Sequence, residues 1–208
     1  MLNKKIVLDA HEKDLLKEIA NICAGNAATS LSQLLSKKIE MNVPNVHFIP
    51  ISEVPKAVGG AETLVVSIVF QVFGDAPGII LLLFSQSDAR TLAGILNGEA
   101  VKNGVLTEMD QSALKEAGSI LAAAYLNTLS AVTKIALIPS TPGILIDMAG
   151  ALIDYILIEL STVTEYALLL DSVFIDAGKS VQGHFFLLPN SGSLELILKA
   201  IGESVNGS

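Results

Sequence analysis

Two side chains three residues apart, Glu18 and Asn21, have the types and spacing to act together on a bound water. On a helix, positions i and i+3 share a face, so a carboxylate and an amide can reach one pocket together. The amide offers a water both a donor and an acceptor. Taken alone, such a pair is most simply interpreted as two solvated helix residues. The pattern returns as Glu116 and Ser119 in the second half, which favours a functional face.

The segments that carry these residues repeat at an offset of 98 positions. The aligned pairs include Glu18 with Glu116, Ile22 with Ile120, Leu31 with Leu129, and Pro44 with Pro142. Because the register holds across a whole helix and the segment after it, chance does not account for the match. We therefore predict internal repeats at approximately 10–98 and 107–203, within a single domain that spans residues 1–208.

Each predicted repeat consists of a long helix, a pair of strands and a short helix. The long segments with a 3.6-residue apolar period cover residues 10–36 and begin again near Thr107. On the first strand, at 62–73, Ser67 falls on the polar side, which predicts a half-buried antiparallel strand. The other predicted elements are strands at 79–84, 166–175 and 182–188, short helices at 86–96 and 194–201, and an inserted helix at 147–160.

The order of these elements predicts an α/β fold class of the α+β type. A repeat of about 100 residues with one amphipathic sheet leaves an apolar face open, so we expect the two sheets to join beneath the helices. The predicted fold is a duplicated domain with pseudo-twofold symmetry, a mainly antiparallel sheet, and two long helices on its surface. Two independent domains are the alternative.

A helical wheel of each long segment separates a polar stripe from an apolar side. Around Glu18 the stripe contains Asp14, Asn21, Gly25, Ala28 and Ser32, while Leu16, Ile19, Cys23, Ala27 and Leu34 form the buried side. The second helix places Ser112, Glu116, Ser119, Ala123 and Ser130 at the same angles. Leu126 stands where the first stripe has Ala28, and we expect it to crowd an incoming molecule.

Composition and charge exclude several function classes. Hydrophobic residues make up 51% and charged residues 16%, which excludes intrinsic disorder. The longest uninterrupted apolar runs, of six and seven residues, are far shorter than the roughly 20 of a membrane-spanning helix, so we expect no membrane insertion. A net charge of −8 disfavours nucleic-acid binding. A single cysteine and three scattered histidines give no support to metal or thiol chemistry, and the amino terminus shows no secretory signal, so we expect a cytoplasmic protein.

The long, fixed spacing from the acid and amide to a proline carries a family resemblance. The pattern resembles the signature of the CheC, FliY and CheX phosphatases of chemotaxis, and its two copies make the chain more similar to CheC. The copies read Asp14-x3-Glu18-x2-Asn21-x22-Pro44 and Ser112-x3-Glu116-x2-Ser119-x22-Pro142.

The resemblance implies hydrolysis of the aspartyl phosphate on the response regulator CheY. It implies that Glu18 docks to the regulator's active-site lysine and that Asn21 orients the attacking water. Glu116 and Ser119 would form a second site, weaker because a serine hydroxyl is shorter than an asparagine amide. The phosphatase would need no cofactor of its own, since Mg²⁺ would belong to the substrate regulator.

Other members of this family suggest a rival function without catalysis. CheC proteins also resemble regulators that bind the receptor deamidase CheD, and the inserted segment at 147–160 is where the analogy places that contact. The same segment is very apolar, and a core helix beneath the sheet is an equally good interpretation. Docking at the motor switch without hydrolysis is a further alternative.

Overall fold

A computed structural model of the protein describes residues 10–43, 45–101, 104–159, 166–176, 179–190 and 192–206. Its helices are α1 (Ala10–Leu35), α2 (Val54–Ala57), α3 (Gln86–Asn97), α4 (Glu108–Thr133), α5 (Ala149–Glu159) and α6 (Ser193–Asn206). Its strands are β1 (Glu40–Asn42), β2 (Val46–Pro50), β3 (Leu64–Gly74), β4 (Gly78–Ser85), β5 (Leu137–Pro139), β6 (Gly143–Met148), β7 (Tyr166–Asp176) and β8 (Lys179–Pro189). The two long helices, the hairpin strands and the short helices overlap the segments predicted for them, whereas β1, β2, β5 and β6 were not predicted.

These strands form one eight-stranded sheet in the order β1-β7-β8-β4-β3-β5, with β2 also on β7 and β6 also on β3. Every pairing is antiparallel, and the two halves of the chain join where β4 pairs with β8. Each half also contributes short strands to the other, because β1 and β2 pair with β7 while β5 and β6 pair with β3. The predicted fold class, with a mainly antiparallel sheet, is confirmed. The internal repeat stays a prediction.

Helices cover the sheet on both of its faces. One core lies between the sheet and α1, α3, α4 and α6, and a second core lies between the sheet and α2 with α5. Because of this second layer, Ser67 on β3 is 0% exposed. The prediction of a half-buried β3 is therefore wrong, and its exposed polar face is limited to the end of the strand at Gln71.

The two long helices lie against the same face of the sheet, and side chains join them directly. Asn26 Nδ2 on α1 donates a hydrogen bond of 3.2 Å to Thr128 Oγ1 on α4. On α4, Gly118 allows close packing on β3, since an added Cβ would lie 3.0 Å from two methyl carbons of Ile68. The pair of helices therefore forms a layer whose outer surface carries both copies of the motif.

For two residues of α1, the exposure differs from the prediction of the helical wheel, and both differences have one geometric reason. The buried residues Ile19, Cys23, Ala27 and Leu31 are four positions apart, so each step turns the buried surface about 40° around the helix. Toward the end of the helix this surface has therefore reached Ala28, which is buried, and has left Leu34, which is 52% exposed. The predictions that Ala28 faces solvent and Leu34 faces the core are therefore wrong.

The length and hydropathy of the helices decide whether one of them could cross a membrane. In the described part of the chain, none of the helices combines the length and the apolar character that a membrane crossing requires.

Candidate active site on the long helices

Glu18 lies on the outer surface of α1, where its carboxylate is exposed to solvent. No hydrogen bond or ion pair to this carboxylate occurs within the described part of the chain, so its charge is available to a partner. Asp14, one turn earlier, is also exposed. On the opposite side, Leu16, Ile19, Cys23 and Ala27 are buried, as the helical wheel predicted.

Asn21 lies beside Glu18 on the same surface, and its amide is held at both ends. Nδ2 donates a hydrogen bond of 2.9 Å to the carbonyl of Lys17, and Oδ1 accepts one of 3.3 Å from the backbone N–H of Val43. An asparagine amide has two N–H donors and two acceptor lone pairs. Within the described part of the chain, one donor and one lone pair of this exposed, oriented amide have no partner, so the amide can bind a water through both.

Val43 and Ile22 are two residues that the sequence analysis did not single out. Val43 precedes Pro44 of the signature, and Pro44 itself lies outside the described residues. Ile22 is 49% exposed, although isoleucine is usually buried. The helical wheel contained the signal for Ile22, because a residue four positions after Glu18 shares its face. No pattern in the sequence pointed to a backbone N–H at Val43.

The rest of this surface is small and open. Gly25 is exposed, and a Cβ added there would meet nothing within 4 Å. Ser32 is half-buried, and its hydroxyl forms hydrogen bonds within the fold. It accepts from the N–H of Ile39 and donates to the carbonyl of the same residue. The exposed part of the stripe therefore runs from Asp14 through Glu18 to Gly25 and does not include Ser32.

In the second half, Glu116 is exposed on α4 and Ser119 is half-buried. Ser119 Oγ donates to the carbonyl of Lys115 at 2.9 Å, the bond that corresponds to Asn21 Nδ2 on Lys17. The residue 98 positions after Val43 is Thr141, and Ser119 forms no bond to it. Instead, the neighbouring Ser140 binds β3 through both its N–H and its hydroxyl, at Gln71. The second copy thus lacks the tie that holds Asn21.

The remaining stripe of α4 also differs in part from the wheel. Ser112 is exposed as predicted, whereas Ala123 and Ser130 are half-buried. Leu126 is buried in the core, because the buried surface of α4 reaches the same position as Ala28 does on α1. The expectation that Leu126 crowds an incoming molecule is therefore wrong.

Side-chain hydrogen bonds at the first turn of α4 fix the residue at which this helix begins. Thr107 and Asp110 form a capping box in which each side chain binds the other's backbone N–H. Asn97 at the end of α3 also donates to Asp110 Oδ1 at 2.8 Å. These bonds, chiefly that from the backbone N–H of Thr107, lower the pKa of the Asp110 carboxyl below its usual value of 3.8.

The inserted helix has one buried side and one exposed side. It begins at Ala149, since Asp147 and Met148 belong to β6, and Leu160 lies outside the described residues. Its buried side chains are Ala149, Leu152, Ile153 and Ile156, and its exposed apolar side chains are Tyr155, Leu157 and Ile158. The core-helix interpretation therefore describes one side of α5, and the other side stays open to solvent.

Cys23 and His184 are both held within the fold. Cys23 is buried in the core, and that burial raises its pKa to about 11, so the thiol is protonated near neutral pH. His184 pairs with Asp171 across two strands, at 3.0 Å from Nδ1 to Oδ1. Throughout the described ranges, three or more His, Cys, Asp or Glu residues nowhere gather closely enough to hold a metal ion.

Comparison with known proteins relates this chain to one family and one fold. The family model described as "CheC-like family" matches residues 12–48, the stretch that holds Glu18, Asn21 and Val43. The fold is that of FliY from Thermotoga maritima, with a TM-score of 0.78, 20% sequence identity, and coverage of 96% of this chain and 100% of that one.

Two curated relatives are similar to this chain in sequence. The chain is 35% identical over 199 residues to "CheY-P phosphatase CheC" of Bacillus subtilis (strain 168), covering 93% of this chain and 95% of that protein. It is 34% identical over 127 residues to "Flagellar motor switch phosphatase FliY" of the same strain, covering 60% of this chain and 33% of that protein. The chain belongs to the CheC-like family.

Proposed function

We propose that this protein is a phosphatase that hydrolyses the aspartyl phosphate of a CheY-like response regulator in chemotaxis. The observation that carries the proposal is the pair on α1, in which the exposed Glu18 carboxylate adjoins an Asn21 amide held by two hydrogen bonds. Support also comes from the name of the Bacillus subtilis relative, which is similar over almost the full length of both chains.

Glu18 is the docking residue in this proposal. Its carboxylate is exposed and unpaired within the described structure, so it can form an ion pair with the lysine in the regulator's active site. A charge-assisted hydrogen bond is about twice as strong as a neutral one and fixes the register between two surfaces. Loss of this pair would weaken binding and would remove Asn21 from the phosphate as well.

Asn21 is the catalytic residue, and its role is to orient water. The oxygen of the water attacks phosphorus in line with the bond to the aspartate. That bond breaks, and the products are a free carboxylate and inorganic phosphate. An acyl phosphate is already activated, so placing the water accounts for the acceleration and a nucleophile from the phosphatase is not required. Mg²⁺ belongs to the regulator.

A close approach between the two proteins is needed for Asn21 to reach the phosphate, and the surface of α1 suits it. Ile22 offers an apolar contact beside Glu18, and Gly25 leaves open space one turn further along the helix. We propose that these two residues lie within the docked surface.

The second copy, Glu116 with Ser119, serves as a weaker site. Glu116 is exposed and can dock as Glu18 does. The Ser119 hydroxyl is half-buried and bonds to its own helix, so it offers less to a water. The first copy therefore carries most of the turnover.

A specific observation also favours a second function, binding of the deamidase CheD. The outer side of α5 exposes Tyr155 and Ile158, the latter to 78%, and such apolar groups often mark a protein contact. Within the segment predicted at 147–160, these residues are the proposed contact. Docking at the motor switch without hydrolysis is a further alternative.

The test of the proposed function follows the release of phosphate from a phosphorylated CheY, with and without the protein. Glu18→Ala and Asn21→Ala are compared with Gln33→Ala, which changes an exposed residue of the same helix away from the motif. We expect the two motif variants to lose most of the added rate and Gln33→Ala to keep it. Equal rates in all four proteins would refute the proposal.

A further inference from the structure

The amide of Asn21 has one favoured orientation. Its Nδ2 faces a carbonyl at Lys17, and its Oδ1 faces an N–H at Val43. Flipping the amide would set oxygen against oxygen and N–H against N–H, and so would lose both bonds. The free N–H and the free lone pair of Asn21 therefore point in directions that these two partners define.

Of the two partners, Val43 is the one that links Asn21 to the rest of the fold. Lys17 belongs to the same helix and moves with it. Val43 is 1% exposed, packs in the core beneath the helices, and directly follows β1, in which Asn42 pairs with Val173 of β7. Its N–H therefore holds a position relative to the sheet.

We infer that the backbone N–H of Val43 is a positioning group for the reaction, acting through Asn21. It holds the amide at the angle at which the remaining donor and acceptor bind the attacking water. This inference rests on the proposed function and adds to it a group outside the helix. A catalytic group misplaced by about 1 Å can lose on the order of 10²-fold in rate, so a single orienting bond has a measurable effect.

The second half of the molecule supports the inference by contrast. Ser119 forms the bond to its own helix, at Lys115, but has no partner equivalent to Val43 among the described residues. The connector that follows α4 is held to β3, where Ser140 and Gln71 exchange two hydrogen bonds, much as the first connector is held to β7 at Asn42. Among the described residues, a bond from outside its own helix therefore holds Asn21 but not Ser119.

The experiment changes the N–H of Val43 and leaves its side chain intact. Replacing Val43 by the α-hydroxy acid of the same side chain turns the amide into an ester, which removes the donor and makes the carbonyl of Asn42 a weaker acceptor. The matched control places the same change at Ile39, whose N–H donates to Ser32 Oγ at 2.9 Å and also ties this connector to α1. Steady-state hydrolysis of a phosphorylated regulator and the NMR signals of the Asn21 side-chain NH₂ are measured for both.

We expect the ester at Val43 to lower kcat about tenfold with KM nearly unchanged, and to loosen the Asn21 side chain. The ester at Ile39 should alter neither, although both esters lower the melting temperature to a similar extent. An unchanged kcat with the Val43 ester, or an equal loss with the Ile39 ester, would overturn the inference and leave the proposed function standing. An unmodified protein without activity would refute the proposed function itself and the inference with it.

Discussion

Asn21 on the first long helix accepts a hydrogen bond from the N–H of Val43 at 3.3 Å, and this contact gives the long spacing of the signature a physical meaning. From Asn21 to the end of α1 at Leu35 the chain rises roughly 21 Å along the helix axis. The seven residue steps from Ser36 to Val43 can cover up to roughly 23 Å in return. The residues from Asn21 to Val43, which precedes Pro44 in the signature, are therefore the length of chain that leaves the helix, reverses at Ser36 and comes back beside Asn21.

Substitution of Glu18 and of Asn21 should impair hydrolysis in two different ways. Glu18→Ala removes a docking charge, so we expect a higher KM and a weaker complex with little loss of stability. Asn21→Ala removes a group that acts on water in the transition state, so we expect kcat to fall about 10²-fold with KM nearly unchanged. Kinetics over a range of regulator concentrations separate the two effects.

Asn21→Ala should also lower the free energy of unfolding by about 1 kcal/mol, because Val43 loses its acceptor. Urea denaturation measures this change. Unfolding of either variant under assay conditions, or a rise in KM alone for Asn21→Ala, would contradict the roles given to these residues.

The two copies of the motif should contribute unequally. We expect Glu18→Ala to remove nearly all activity and Glu116→Ala to remove little, because Ser119 offers a half-buried hydroxyl in place of an oriented amide. In the Glu18→Ala background, Ser119→Asn should raise the rate, because it supplies an amide where the second copy has a hydroxyl. A larger loss from Glu116→Ala than from Glu18→Ala would reverse the assignment.

Gly25 permits a test that separates docking from folding. Gly25→Leu should raise the melting temperature, because glycine in a helix costs up to about 1 kcal/mol and a Cβ added at this exposed position meets nothing within 4 Å. The same side chain should obstruct the regulator and weaken its binding. Gly202→Leu on α6 is the matched control, since a Cβ there also meets nothing within 4 Å. Calorimetric titration of Gly25→Leu that shows unchanged binding would remove Gly25 from the docked surface.

Asp110 should make the stability of α4 depend on pH. Its pKa is lowered in the folded protein, so its contribution is complete above the usual value of 3.8 and is lost as the pH falls through the lower folded value. We expect Asp110→Asn to cost about 1 kcal/mol near neutral pH. Urea titrations of both proteins should show this difference shrinking only in strong acid. A difference that already disappears at mildly acidic pH would contradict the capping role.

The exposed side of α5 gives a prediction for the second proposed function. Ile158→Glu should abolish co-purification with CheD while the melting temperature changes little, because Ile158 is 78% exposed. Ile153→Glu is the contrasting change, and it should unfold the protein because Ile153 is buried. Survival of the CheD complex with Ile158→Glu would place the contact elsewhere.

The sequence predicted the long helices and the hairpin strands well because each signal is local. A 3.6-residue period and a fixed offset between halves need no knowledge of what lies across the sheet. Ser67 was assigned to solvent because a strand alone cannot indicate that α5 covers its second face. Ala28 and Leu34 were assigned to the wrong sides because a straight helical wheel does not include the winding of the buried surface around a helix.

The candidate site was predicted as two side chains, and the structure adds the backbone that holds one of them. Glu18 and Asn21 were predictable because residue type and spacing define them. The bond from Val43 was not predictable, since every residue except proline has an N–H and only the path of the chain determines which one reaches Asn21. The same limit applies to the exchange of short strands between halves, in which pairing partners are far apart in sequence.

The most direct test mixes the protein with a CheY that carries its aspartyl phosphate and measures the rate of phosphate release. The account predicts a rate well above that of the regulator alone, and a loss of most of that added rate in Asn21→Ala even at regulator concentrations that saturate binding. An Asn21→Ala variant that hydrolyses as fast as the unmodified protein would contradict the central claim, and so would an unmodified protein that binds the regulator without accelerating its dephosphorylation.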